Sequence, residues 1–454
     1  MKRLHALIDQ LDAYRLPEVA ALLFAGLMLG FFPLALLSDY GSLTRGKFIV
    51  LVFLCCDFGL ALLLALAWTR RFRSPSALWR DWSVPQKLLL DLGLLALISA
   101  LISPYPQLVL LGGSRWTGLV ALVLMLFTAL SLASLGRWHD GFFMIVAISA
   151  LLMSILCLVQ LAGGNPLGLY PHGMSYADGG ELYQGRFLGA VGNVDMLSAY
   201  WCLTLPLLLG GVLLMPGKLR LLPLAALIAG LVVELAADVD SGVLALSLSA
   251  LIMLPFLLPL PWRKRAWLAA GLLIAAALVL IYFYNGPEQG TLWQLSRVLH
   301  GDVQDRFGSS RIRIWKEAIA SMGGWRDWLL GTGPGTRSQH FSIVFERVGD
   351  SGQTIRTVVD ASHNEYLDIL LEQGAVGLIL YVAALIATAV SALRAVKRGD
   401  RVALILAWSG LAYCLQAMFN ISSVVIAPLF WTVWGLLLAR TRSDTPPLLV
   451  NNDE

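Results

Sequence analysis

Twelve apolar runs, each long enough to cross a bilayer, divide this chain, and they constrain its fold more than any other feature. A helix needs about 20 predominantly apolar residues to span the hydrocarbon core. The runs fall near residues 17–37, 48–68, 87–103, 116–135, 141–162, 195–215, 219–237, 242–260, 266–284, 374–393, 402–420 and 421–440. Of the 454 residues, 58% are hydrophobic and 14% charged, whereas a soluble domain carries about 25% charged residues. An ordinary cytosolic enzyme, a disordered chain and a disulfide-rich secreted module are excluded. The expected fold is an all-α polytopic membrane protein: about twelve transmembrane helices and one large external loop containing short amphipathic helices. The first run lacks a small-residue cleavage site and reads as a retained helix, not a signal peptide. Cys55, Cys56, Cys157, Cys202 and Cys414 lie in or beside apolar runs without CxxC spacing and read as small core hydrophobes.

Orientation follows from Lys and Arg, which short cytoplasmic loops retain. With the N-terminus inside, 20 of the 33 positive residues fall on the inner side. Nine of the other 13 sit in one long loop, a length class to which the rule does not apply. Both termini are therefore expected in the cytoplasm. Two connections are long, roughly 163–194 and 285–373, and both fall outside. Loops beyond about 12 to 15 residues are uncommon unless functional, so any chemistry is expected on the outer face. The chain divides into a membrane region over 1–284, an external catalytic loop over 285–373, and a second membrane region with a short cytoplasmic tail over 374–454. The acidic end at Asn451–Glu454 reads as a solvated tail.

The large loop has two helical segments. In the first, Gly308 to Ile319, Ile312, Trp315 and Ile319 share a face, and Ser309 or Ser310 would cap its start. Arg306, Arg311 and Arg313 gather at that N-terminus, where free N–H groups and the helix dipole favour an anion. They read either as a solvated basic face beside lipid headgroups or as a diphosphate clamp, since an Arg fork matches phosphate oxygens. In the second segment, Ser362 to Gly374, Ser362 and Glu365 form an S-x-x-E capping box with His363 as the first helical residue. Gly374 is the expected stop. His363, at the positive end of the dipole, reads either as a neutral base able to accept a proton or as a helix-start histidine hydrogen-bonded to a nearby loop. The intervening Gly331-Thr332-Gly333-Pro334-Gly335-Thr336 lacks the Lys-Ser or Lys-Thr of a phosphate loop and reads as a tight turn. In the other long loop, Gly-flanked Arg186 leads toward Asp195 at the next helix entry. Asp195 is either a functional intramembrane acid or a helix cap. Arg115, at another outer interface, is either a substrate contact or a snorkelling anchor.

Together these residues carry a resemblance. Ser362-His363-Asn364-Glu365-Tyr366-Leu367, followed by Glu372-Gln373-Gly374-Ala375-Val376-Gly377-Leu378 and preceded by Gly331-Thr332-Gly333-Pro334-Gly335, is similar to the hallmark of the O-antigen ligase and O-antigen polymerase superfamily. Arg311-Ile312-Arg313-Ile314-Trp315 and the Gly192-Asn193 helix entry resemble it too. The likeness spans roughly residues 185–393. It implies a membrane glycosyltransferase that moves a glycan from undecaprenyl diphosphate to an acceptor hydroxyl on the outer face of the cytoplasmic membrane, inverting and without metal or cofactor. The implied partners are a lipid-linked glycan donor, a glycan, lipid or protein acceptor, and membrane lipid, with no nucleic acid. His363 and Arg311 match the family's functional positions. With Arg186 they form the expected catalytic set, and Arg306, Arg313, Arg115, Asn364, Tyr366 and Asp240 the expected substrate contacts.

One departure stands out. The family usually has Arg after Ser between the seventh and eighth helices, and this chain reads Asp238-Val239-Asp240-Ser241-Gly242 there. Either Arg186 or Arg115 substitutes from a neighbouring loop, or Asp238 and Asp240 face elsewhere, or they recruit a divalent cation that bridges to phosphate. Alternative functions are a protein O-oligosaccharyltransferase of the same superfamily, a transporter, and a non-catalytic scaffold for glycan assembly. A transporter fits poorly because the helix interiors are nearly free of charge, Glu234 being the main exception.

Overall fold

The computed structural model describes residues 16–69, 74–170, 175–178, 181–184, 187–340, 342–348 and 354–442. The segment before the first run, the loop cations Arg70, Arg71 and Arg73, Arg186 and the acidic tail lie outside the described residues. The chain is a multi-pass α-helical membrane protein. Among the described residues, ten helices are long and apolar enough to cross a membrane. They are α1 (Leu16–Leu34), α2 (Tyr40–Trp68), α3 (Val84–Leu101), and then, beyond the bent pair described next, α5 (Gly141–Leu161), α6 (Val194–Leu214), α7 (Gly217–Ala237), α8 (Asp240–Leu257), α9 (Leu260–Tyr282), α13 (Glu365–Lys397) and α14 (Arg401–Phe419). The pair Pro106–Arg115 and α4 (Leu119–Leu135), bent by 74°, makes an eleventh if counted as one span. All twelve expected runs are thus helical. The last, α15 (Ala427–Arg440), has only 14 residues and is too short for the same test.

That short helix sits in the middle of the protein. Nearly all of α15 is buried, and it packs mainly on α4, while α13 packs on α3, α14 on α6, and α7 on α5 and α6. The irregular segment leading into α15 is tolerated because no lipid reaches it and its polar groups have partners. Ile421 N–H bonds Asn420 Oδ1 at 2.8 Å, and Val425 N–H bonds Ser423 Oγ at 3.3 Å. The same logic explains Lys47, fully buried inside α2. Its ammonium donates to Phe32 and Pro33 carbonyls at 2.9 and 2.7 Å, where α1 unwinds into π and 3-10 turns. α9 buries no residue and lies at the periphery.

Each long connection also forms an antiparallel hairpin, which the periodicity does not announce. β1 (Ser175–Asp178) pairs with β2 (Glu181–Gln184), and β3 (Ile343–Val348) with β4 (Thr354–Val359). The large loop further carries α10 (Gly290–Leu299), α11 (Phe307–Ala320) and α12 (Trp325–Leu330). It has its own small core: Ile314, Ala318 and Met322 meet Ile343, Leu367 and Leu371. This corrects the expected face of α11. Trp315 packs at the edge of that core, but Ile319 is 45% exposed, and the buried stripe is Ile314 and Ala318. Docking that stripe on the outer turns of α13 fixes the loop over the helix bundle.

The expected stop at Gly374 is found as a break between two helical stretches, the second of which runs on to Lys397 because the residues beyond remain apolar and helix-forming. Gly374 has φ 68 and ψ −176, a region essentially reserved for glycine. The carbonyls released by the kink are taken up: Leu371 O accepts from Thr332 N–H at 3.2 Å, and Glu372 O from Gly333 N–H at 2.8 Å and Ser99 Oγ at 3.2 Å. A Cβ at position 374 would stand 2.2 Å from the Leu329 carbonyl carbon. Gly374→Ala should therefore lower stability by at least about 2 kcal/mol, read as a fall in Tm in detergent. Gly271→Ala, whose Cβ would meet nothing within 4 Å, should leave Tm unchanged or slightly raised; equal behaviour of the two variants would refute the role of the kink.

Candidate functional site

The loop over residues 361–364 carries His363 onto the end of α13, and its cap differs from the expected one. Asn364, not Ser362, is the N-cap: its Oδ1 accepts from Tyr366 N–H and Leu367 N–H, both at 3.1 Å. His363 lies before the helix, at φ 51. A non-glycine residue in the left-handed region costs of order 1 kcal/mol or more and persists only where its neighbours hold it. Here both neighbours are held. Ser362 N–H and Oγ donate to Asp368 Oδ1 at 3.1 and 2.6 Å, and the Ser362 carbonyl accepts from Trp315 Nε1 at 2.9 Å. Glu365 does not close a capping box; it accepts from Tyr381 and Tyr413 hydroxyls, each at 2.9 Å.

His363 is half-buried, and its enclosed Nδ1 has no hydrogen-bond partner among the described residues. Burial depresses its pKa from 6.5 to about 4, with the nearby Arg311 guanidinium lowering it further, Asp368 raising it, Arg115 lowering it and Asp360 raising it. The ring is neutral at physiological pH. The expected state is present, but desolvation is its main cause.

Arg311 reaches this place from a left-handed turn, since Gly308, Ser309 and Ser310 have φ of 59, 56 and 65. Neither serine caps α11; both shape the turn. Arg311 Nη1 donates back to Gly308 O at 3.1 Å, while its Nε is buried with no partner. The guanidinium acts electrostatically on both His363 and Asp195, so the large loop meets the start of α6 here. Asp195 is itself held from the centre of the bundle, its carbonyl accepting from Gln416 Nε2 and Asn420 Nδ2, both at 3.1 Å. Arg115, in the break before α4, is ion-paired with Asp360. Its snorkelling reading is thereby replaced by a partner on the segment that leads to His363.

Behind the histidine lies a buried network that the sequence reading missed. Arg337, 3% exposed, places Nη1 at 3.2 Å from Asp368 and 3.6 Å from Glu372, and donates from Nη2 to Ser422 O at 3.0 Å. The two carboxylates keep its pKa raised despite burial. It follows the Gly331–Thr336 turn directly, and that turn is a structural one: Thr332 and Thr336 hydroxyls bond each other at 2.8 Å, and Ser103 Oγ donates to Thr332 O. A signal was present. Two acids at i and i+4, Asp368 and Glu372, share one face of an otherwise apolar helix and require a cation.

Other expected contacts are already engaged with partners of their own. Arg306 bonds Gln304 at 2.9 Å and lies over Trp293; Arg313 pairs with Glu317 at 3.4 Å and lies over Phe345. Asn364 is occupied as a cap. Tyr366 OH donates to Cys414 O at 2.9 Å, and Asp240 accepts from Thr291 at 2.5 Å. Arg186 lies outside the described residues.

With this geometry in place, residues 224–382 match the family model described as O-antigen ligase. That stretch is about a third of the chain, and it is similar to the O-antigen ligase and polymerase superfamily. No curated protein matches the chain significantly. The O-antigen ligase match begins within α7 and ends in α13, and so contains Arg311, Arg337 and His363.

The departure at Gly242, inside the matched stretch, has a steric basis. A Cβ there would lie 1.7 Å from Ser198 Oγ and 2.2 Å from Glu234 Oε1. Ser198 donates to Glu234 at 2.6 Å, so a carboxyl–hydroxyl pair fills the space a side chain at 242 would need. Asp238 and Asp240 do not join a third ligating side chain among the described residues.

Removing Arg337 leaves two buried carboxylates without a counter-charge, a change that typically costs about 3–5 kcal/mol. Arg337→Gln should lower Tm strongly, while Arg337→Gln with Asp368→Asn and Glu372→Gln should recover part of the loss. Absence of any recovery in the triple variant would show that the charges are not what matters.

Proposed function

We propose that this protein is an inverting glycosyltransferase that takes a glycan from undecaprenyl diphosphate and joins it to an acceptor hydroxyl at the outer face of the cytoplasmic membrane. The single observation that carries the reading is a half-buried His363 with a depressed pKa, whose enclosed Nδ1 and the enclosed Nε of nearby Arg311 both have no partner among the described residues. Buried polar groups are almost always paired, and leaving one unmade costs about 1–3 kcal/mol. Two together, one a proton acceptor and one a cation, suit a base beside an anion.

In the proposed step, the acceptor oxygen attacks the anomeric carbon as its proton passes to His363. The bond from that carbon to the diphosphate oxygen breaks, and the electron pair leaves with the diphosphate. Arg311 faces the charge that develops on the leaving group, in a site from which water is largely excluded. Arg115 supplies further positive potential, moderated by Asp360, and Arg186 is proposed to complete the clamp from its own loop. A ligase would deliver the glycan to a lipid A core, and a polymerase to another lipid-linked repeat. Ligase or polymerase is the preferred assignment over transfer to protein. Cytoplasmic termini follow from the distribution of Lys and Arg.

The test is turnover of a defined undecaprenyl diphosphate glycan by the purified protein, with and without EDTA. His363→Ala and Arg311→Ala should each reduce transfer at least about 100-fold at unchanged membrane levels, and EDTA should have no effect. Full activity in both variants would sink the site assignment, and loss with EDTA would revive a cation at Asp238 and Asp240.

A pH profile gives a separate check. His363 works as a base only when neutral, and its pKa is depressed to about 4, so kcat/KM should be level above about pH 5.5 and fall below about pH 4. Arg311→Lys keeps a cation and should hold the acid limb near its place. Arg311→Gln removes one and should move residual activity's acid limb upward, toward 6.5. An acid limb already near 6.5 in the native enzyme would contradict a desolvated base.

A further inference from the structure

The face opposite His363 has its own built feature. Beyond the kink at Gly374, α13 runs 22 residues to Val396, roughly 33 Å at 1.5 Å per residue, so Val396 lies about a membrane thickness from the end that carries the histidine. A cavity of 410 Å³ opens between α8, α13, α14 and α15, walled by residues including Ile252, Leu385, Ala389, Ala407 and Leu411. Small side chains make its width: a Cβ on Gly410 would meet nothing within 4 Å. Its polar lining group, the Thr388 hydroxyl, is consumed internally, donating to Ala384 O and accepting from Trp434 Nε1. Hydrocarbon is the filling that such walls accept.

A second cavity of 320 Å³ adjoins it and shares Phe256, Val396 and Leu404 with it. This one is a mouth rather than a groove, bordered by Arg263, Asp400 and Arg401. Its acid is already spent: Asp400 pairs with Arg440 at 2.6 Å and caps Ala403 N–H at 3.0 Å. Arg263 is held in place by Phe256 and Leu258 carbonyls at 3.1 and 3.3 Å, yet its Nε is buried with no partner. The neighbouring Lys264, Arg265, Lys397 and Arg398 are exposed. An apolar groove therefore runs into a mouth where Arg263 and Arg401 face an acid already paired with Arg440.

We propose that this groove and mouth seat an anionic phospholipid from the leaflet opposite the His363 site. Its acyl chains lie between the four helices and its phosphate rests on Arg263 and Arg401. An Arg fork matches phosphate oxygens, and basic pockets between membrane helices recognise acidic headgroups in this way. The glycan donor proposed above is a different occupant, because its diphosphate must reach His363 at the other face. The bound lipid ties the α8–α9 junction to the α13–α14 turn.

Native mass spectrometry on delipidated full-length protein tests this, with phosphatidylglycerol and phosphatidylcholine of identical acyl chains as probes. Phosphatidylglycerol should be retained about tenfold better. Arg401→Gln, at an exposed position, should remove most of that preference, and Gly410→Leu, which fills the groove, should lower retention of both lipids. Equal retention of the two lipids by the native chain would overturn the proposal, as would phosphatidylglycerol retention unchanged in both variants. Loss of phosphatidylglycerol to inorganic phosphate alone would also overturn it, since the mouth would then be a phosphate site without a lipid.

Discussion

A guanidinium sealed in a low-dielectric interior must be neutralised, and much of the half of this protein that carries the large loop is arranged around that demand at Arg337. Its two carboxylates come from successive turns of α13, its carbonyl partner from the segment before α15, and its own position from the Gly331–Thr336 turn. One charge thus ties the large loop to two different parts of the helix bundle. Asp368 then passes the constraint on, because its second oxygen holds Ser362 by two hydrogen bonds, and the next residue is His363. The left-handed backbone of the histidine is stable because it is the end of a chain of contacts that begins at a buried ion pair. Such pairs contribute little net stability, since desolvation offsets attraction, but they penalise every arrangement that separates the partners.

The membrane imposes the complementary rule that backbone polar groups be satisfied without water. Three interruptions in the helices obey it, and each lies where the structure turns toward the outer site. The kink at Gly374 gives its free carbonyls to Thr332, Gly333 and Ser99. The break before α4 exposes Arg115 to Asp360. The irregular entry to α15 provides the carbonyl that Arg337 uses. Irregular backbone in lipid would be prohibitive; buried among helices it supplies fixed dipoles exactly where straight helices have none to offer.

Much of this was legible from hydropathy and little of it from local motifs. The apolar runs foretold every membrane helix because burial in lipid leaves no alternative to a helix. The cap at His363 was misread for an instructive reason: Ser362 and Glu365 have capping-box spacing, but Asp368 competes for the serine and two tyrosines for the glutamate. Tertiary partners outbid a local pattern. The face of α11 shifted likewise, since docking against Ile343, Leu367 and Leu371 selects the stripe of Ile314 and Ala318 over the face that ends at Ile319. Arg337 went unnoticed because nothing in its own neighbourhood distinguishes it; its meaning lies 31 and 35 positions away, at Asp368 and Glu372. The hairpins were hidden because their strands are short and their alternation weak.

The departure at Gly242 now bears on how the proposed reaction handles charge. An arginine there would require Glu234 and Ser198 to vacate the space their hydrogen bond fills, so the cation cannot simply be restored at that position. Positive potential near His363 instead comes from Arg311 and Arg115, and each is shared with an acid: Asp195 for the first, Asp360 for the second. Sharing has a consequence in either state of the site. Without a diphosphate, the acids compensate cations that would otherwise be costly to enclose. With a diphosphate present, they compete with it, so the cations hold a leaving group less tightly than isolated arginines would. In the proposed transfer, such moderation keeps the cations from binding donor and transition state equally tightly, a uniform binding that does not raise kcat.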